Sequence, residues 1–102
     1  MRTMTITTVS VLGAIASGLR YGFDITDATG LESGTVYPVL SRLERDGFVE
    51  STWENETAAH TEGRPARRYY RITKAGRAAL DVATAHYRTL VPSLARARRA
   101  RG

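Results

Sequence analysis

Gly30–Leu31–Glu32–Ser33, running on into Gly34–Thr35–Val36–Tyr37–Pro38–Val39–Leu40–Ser41–Arg42–Leu43–Glu44–Arg45–Asp46–Gly47, is the stretch on which the fold turns. Ser33 is the residue type that caps a helix start, because its side-chain oxygen accepts a backbone N–H that the helix leaves unpaired. The helix this predicts runs over 34–46, and Gly47 stops it. Val36, Leu40 and Leu43 recur at i, i+4 and i+7 and form an inward stripe. Tyr37, Pro38, Ser41 and Arg45 fall on the opposite side, with Thr35 and Arg42 on one flank. Pro38 has no N–H to donate, so it costs one backbone hydrogen bond and is expected to bend the helix start slightly.

Upstream of the turn, Phe23 to Thr29 reads as a short helix with Phe23, Ile25 and Ala28 as its apolar residues, closed by Gly30 in a left-handed conformation. Before it, residues 8–19 place Val9, Leu12, Ile15, Ala16 and Leu19 at helical spacing, with Thr7 or Thr8 to cap the start. Two helices joined by a tight glycine-containing turn make a helix-turn-helix.

Downstream, Phe48 to Glu54 alternates Val49, Ser51 and Trp53 against Phe48, Glu50 and Thr52, the signature of a strand. Asn55 to Pro65 is polar and reads as a loop, and Arg67 to Ile72 as the returning strand. In that strand one of Tyr69 and Tyr70 must face the core and the other must face away. Thr73 then caps a long helix from Lys74, with Ala79 or Leu80, then Ala83, Tyr87, Leu90 and Leu94 at 3–4 spacing. Pro92 kinks or stops it, and Arg96, Arg98, Arg99 and Arg101 make a basic tail. The fold class is therefore mostly α with a small β-hairpin: a winged helix-turn-helix over 1–73, then a long C-terminal helix and basic tail over 74–102, packed as one unit.

Charge points to the partner. Net charge is +5, but the distribution is uneven. Residues 1–63 carry four basic and nine acidic side chains, whereas 64–102 carry eleven basic and only Asp81. Such an asymmetry suits a polyanion, nucleic acid first. In a winged helix the third helix enters the major groove. Its outward residues Ser33, Thr35, Tyr37, Pro38, Ser41, Arg42 and Arg45 are thus the DNA-binding candidates, with Arg64, Arg67 and Arg68 of the wing for phosphate or minor-groove contact. For Tyr37 the alternative is a surface aromatic packed beside Pro38. For Arg42 and Arg45 it is pairing with Glu44, Asp46 or Glu50, and the acids at 44 and 46 leave this helix locally near neutral.

Other chemistries find little support. The chain has no cysteine, no phosphate loop and no Gly-x-Ser-x-Gly, and its two histidines, His60 and His86, match no metal pattern. No enzyme activity, cofactor or metal is expected. No apolar run approaches the roughly 20 residues a membrane span needs, and residues 1–10 lack a signal-peptide layout. A soluble cytoplasmic protein is the expectation. A winged helix used for protein contact is the alternative, and RNA is a weaker one because no cluster of aromatics offers a stacking platform.

Several runs carry a family resemblance: Tyr21–Gly22–Phe23–Asp24–Ile25, Ser33 to Leu40, Leu43 to Val49, Gly63–Arg64, and Arg68–Tyr69–Tyr70–Arg71–Ile72–Thr73–Lys74–Ala75–Gly76. Together, over about residues 8–90, they resemble the PadR family of transcription regulators. The resemblance implies a homodimeric repressor on a near-palindromic promoter site, with Thr35, Tyr37 and Arg42 at recognition-helix positions. It implies dimer contacts through the final helix, by Leu80, Ala83, Tyr87, Leu90 and Leu94, and places this chain with the short members that have one C-terminal helix. Some members of the family sense aromatic effectors at the dimer interface, for which Trp53 and Tyr87 are the candidates. Those two residues otherwise anchor the wing and fill a helix seam. A MarR-like regulator is a further alternative, although such proteins carry additional dimer helices.

Overall fold

The computed structural model describes residues 4–90. Three helices, α1 (Ile6–Ala16), α2 (Gly22–Thr29) and α3 (Ser33–Arg45), precede β1 (Val49–Trp53), a short α4 (Glu56–Thr61), β2 (Arg68–Ile72) and the long α5 (Lys74–Leu90). This is the helical fold with one hairpin that the sequence predicts.

Helix α1 begins two residues before the expected start, because Thr5 caps it: its Oγ1 accepts the Thr8 N–H at 3.2 Å. It buries Val11, Leu12 and Ile15. Leu19 lies beyond its end but still packs on the core. Phe23, one of the apolar residues of the second helix, is 78% exposed. The inward positions of α2 are Gly22, Ile25, Thr26 and Thr29, one face of a 3.6-residue repeat, and Phe23 lies off it. The two threonines can turn inward because each hydroxyl donates to the carbonyl four residues back, Thr26 to Gly22 at 2.8 Å and Thr29 to Ile25 at 2.7 Å. Gly30 closes α2 at φ 71°, as expected.

Ser33 is the first residue of α3 and not its cap. Glu32 takes the cap position with extended backbone, and its carbonyl accepts the Thr35 and Val36 N–H groups. The helix runs unbroken through Pro38 to Arg45 and buries Val39 along with Val36, Leu40 and Leu43. At φ 79° Gly47 turns the chain so that the Phe48 N–H reaches the Leu43 carbonyl at 2.9 Å.

The hairpin is antiparallel, with Val49 opposite Ile72, Ser51 opposite Tyr70 and Trp53 opposite Arg68. Tyr70 is the tyrosine that turns to the core. Tyr69 bridges to Tyr21 and meets its ring edge-on, with centroids 6.3 Å apart, which adds one residue of a third strand to the wing. Between the strands, residues read as loop contain α4. Asn55 starts it by accepting the Thr57 N–H at 2.8 Å, a side-chain cap on a segment otherwise classed by polarity alone.

Thr73 caps α5 as expected, its Oγ1 accepting the Gly76 N–H at 3.0 Å, and the same hydroxyl donates to the Gly47 carbonyl at 2.7 Å. One threonine thus ties the exit of α3 to the entry of α5. The core joins Val11, Leu12, Ile15, Ile25, Val36, Val39, Leu40, Leu43, Val49 and Tyr70. Each large aliphatic among them contributes roughly 2 kcal/mol by leaving water.

The C-terminal stripe divides. Leu80 packs against the core, Ala83 is 3% exposed, and the Tyr87 hydroxyl donates to the Met4 carbonyl at 2.6 Å, so a single chain already uses these three. Leu90 and Val82 are left 60% and 61% exposed. Leu94, Pro92 and the arginine tail lie outside the described residues. Among the described residues no helix is long and apolar enough to cross a membrane.

Candidate nucleic-acid interface

With Val36, Val39, Leu40 and Leu43 held inward, helical geometry leaves Ser33, Thr35, Tyr37, Pro38, Ser41, Arg42 and Arg45 exposed together on the other side of α3. These are the residues named from the sequence, now one continuous surface of hydroxyls and two guanidinium groups. Arg42 has no hydrogen-bond or ion-pair partner among the described residues. Arg45 meets Asp46 at 3.4 Å, both largely exposed, a contact of at most about 1 kcal/mol that a phosphate can replace.

Tyr37 does not rest only on its own helix. A Cβ on Gly22 would lie 2.5 Å from the Tyr37 hydroxyl oxygen and 2.7 Å from two ring carbons. The absent side chain of Gly22 is therefore the seat of this ring, which stays 48% exposed. The tight approach of α2 and α3 positions a residue of the outward face, a role for Gly22 that spacing along the chain does not reveal.

The wing differs from a plain basic surface. Arg64 reaches Glu54 through both terminal nitrogens, Nη2 at 2.8 Å, and Glu62 through Nε at 2.8 Å. Arg67 lies 3.9 Å over the Tyr21 ring and 3.7 Å from Glu54. Arg68 meets Glu44 of α3, and Arg71 meets Glu50, each at 2.7 Å. The wing arginines named as phosphate contacts are thus each matched to a carboxylate within the chain. The acids responsible, at 44, 50, 54 and 62, sit in the half of the sequence that reads as net acidic. The fold brings the two halves together.

The Glu54 carboxylate is strongly perturbed. The hydrogen bond from Arg64 is the main cause, opposed by partial burial and aided by the Arg67 backbone N–H, and its pKa falls from the usual 4.5 to about 2. Arg64 is correspondingly held charged. Because the folded value lies below the unfolded one, the stability this pair adds is fully present above pH 4.5 and is lost as pH falls toward 2. Trp53, the sole tryptophan, adjoins Glu54 in sequence. Its emission should titrate in that window, and Glu54→Gln should abolish the step; a step that survives the substitution would assign it to other carboxylates.

Trp53 and Tyr87, the two aromatic effector candidates, have different neighbours. Trp53 is exposed at the end of β1 with Arg68 5.9 Å from its ring, and Tyr87 is bonded to Met4. His60 is exposed, and His86 meets the Tyr87 ring edge-on. Among the described residues no three potential metal ligands cluster.

Comparison with known proteins agrees with this architecture. Residues 11–82 match the model of the transcriptional regulator PadR-like family. A transcriptional regulator of Mycobacterium tuberculosis is 55% identical over 61 residues, which is 60% of this chain and 46% of that protein. The chain therefore spans about half the length of this curated relative. A PadR family regulator from Clostridium difficile superposes with a TM-score of 0.75 at 21% identity, covering 90% of this chain and 97% of that one. A PadR family regulator from Eggerthella lenta gives 0.65 at 26% identity, covering 84% and 78%.

Proposed function

Since the chain belongs to the PadR-like family of transcriptional regulators, we propose that it binds double-stranded DNA sequence-specifically as a homodimer and represses transcription from a near-palindromic promoter site. The observation that carries this reading is the continuous exposed face of α3, with Arg42 free of any partner among the described residues. Laid in a major groove, that face offers Thr35, Tyr37 and Ser41 as hydroxyl donors and acceptors. Arg42 and Arg45 offer forked donors suited to guanine edges and phosphates. Two copies related by a two-fold axis read two inverted half-sites, which is why the site is near-palindromic. A dimer seated across a promoter excludes polymerase by occupancy alone, which is the basis for repression.

Exposed Leu90 and Val82 on α5 supply the dimer contact in this reading, in place of Ala83, which a single chain already buries, and Leu80, which it partly buries.

The test is fluorescence-anisotropy binding to the DNA immediately upstream of the protein's own coding region, against a scrambled duplex, at several salt concentrations. Preferential, salt-sensitive binding to the upstream DNA supports the reading. Absence of binding to either duplex at low salt overturns it in favour of a protein-contact module. Arg42→Ala should weaken the preferred complex by about 10- to 100-fold, corresponding to roughly 1–3 kcal/mol. The melting temperature should stay unchanged, because Arg42 is exposed and has no partner among the described residues.

A further inference from the structure

We propose that Glu44 is a specificity-determining positioning residue: it clamps the wing to the recognition helix and holds the Arg68 charge away from the DNA backbone. The inference rests on the DNA-binding reading above.

The observation is a closed ring of three side chains from three elements. Glu44 projects from the last turn of α3, Ser51 from the middle of β1, and Arg68 from the first residue of β2. The Ser51 hydroxyl donates to one carboxylate oxygen of Glu44. Arg68 Nη2 donates to the other at 2.7 Å, and Arg68 Nε donates back to the Ser51 oxygen at 2.8 Å. Each of the three side chains touches the other two. The serine oxygen both gives and accepts a proton bond, a use that its chemistry permits and that an isolated ion pair lacks. Arg68 is further flanked by the Trp53 and Tyr70 rings, each 5.9 Å from its guanidinium carbon.

Two consequences follow from the placement. The first is geometric. The last turn of the helix proposed to enter the groove is tied to both strands of the wing, so the angle between them is held by side chains as well as by the short link at 46–48. The second is electrostatic. A carboxylate on the helix that also carries Arg42 and Arg45 would repel phosphates if left alone. Arg68 neutralises it, and in return Arg68 is kept from acting as an indiscriminate phosphate ligand. A paired cation releases no counterion from DNA, so it adds nothing to sequence-independent affinity.

Glu44→Gln frees Arg68. The slope of log K against log salt should steepen by about 0.9, the value for one more neutralised phosphate. Binding to a scrambled duplex should strengthen, and the preference for the specific site should shrink. In the double variant Glu44→Gln with Arg68→Gln, the slope should return to that of the unmodified protein. Ser51→Ala breaks the ring without changing charge. It should leave the slope alone but lower the fluorescence anisotropy of Trp53 in the free protein as the wing loosens, and it covers the case in which a charge variant folds poorly.

An unchanged slope in Glu44→Gln, together with a slope reduced by about 0.9 in the double variant, would make Arg68 itself a phosphate ligand and overturn this inference while leaving DNA binding intact. Binding of the unmodified protein to neither duplex would overturn both. Trp53 anisotropy unaltered in Ser51→Ala would overturn the clamp.

Discussion

Gly76→Ala is expected to destabilise the fold by about 2 kcal/mol or more, the cost of forcing extra atoms into a packed contact. In a chain of this size that lowers the melting temperature by about 10 °C. Gly76 is the third residue of α5 and is buried. A Cβ there would sit 2.1 Å from the Phe48 carbonyl oxygen, 3.0 Å from its carbon and 2.8 Å from Ile72 Cγ1. The obstacle is backbone, so no rotamer change relieves it. That carbonyl also accepts the Thr73 N–H at 3.0 Å, so moving it away breaks the bond that seats the start of α5. Alanine in a helix gains up to about 1 kcal/mol over glycine, which is too little to offset the clash. Thermal or urea unfolding of the purified variant decides the matter. A variant as stable as the parent would mean that the first turn of α5 can slide off Phe48.

Leu90→Asp addresses assembly, with the opposite expectation for the fold. Leu90 is exposed on its own chain, so a charge there costs the monomer little, and its melting should hardly move. If α5 pairs two copies, the charge would be buried without a partner, and the dimer should dissociate. Light scattering should then report 11.2 kDa and not twice that. DNA affinity should fall by about 100-fold or more, the usual worth of two linked half-site contacts. Dimer mass retained in Leu90→Asp would move the interface elsewhere on the surface. Ala83→Asp is the informative contrast: at 3% exposure it should unfold the single chain.

These two positions show how differently parts of the molecule can be read. The helical stripe of α3, its outward face, the caps at Gly30 and Thr73 and the two separate strands are all legible, because each depends on residues within a few positions of one another. The inward face of α2 is less legible, because it is built largely from Gly22 and from Thr26 and Thr29, whose hydroxyls are satisfied by their own helix, while the apolar Phe23 lies outside. Helix α4 is not legible in the sequence, because polarity marks loops and short helices alike.

What the sequence by itself determined is the order and type of the elements other than α4, and the inward stripe of α3, since backbone hydrogen bonding and the 3.6- and 2-residue periods act locally. What only the tertiary structure decided is which charges are free and which apolar residues are spent. Glu44 meets Arg68 24 residues away, Tyr37 settles on Gly22, Gly76 meets Phe48, and α5 commits Leu80 and Ala83 to its own chain while leaving Leu90 outside. The physical reason is the same in each case. Coulombic attraction and steric exclusion depend on distance in space, and for residues far apart in sequence that distance exists only once the chain has closed on its core.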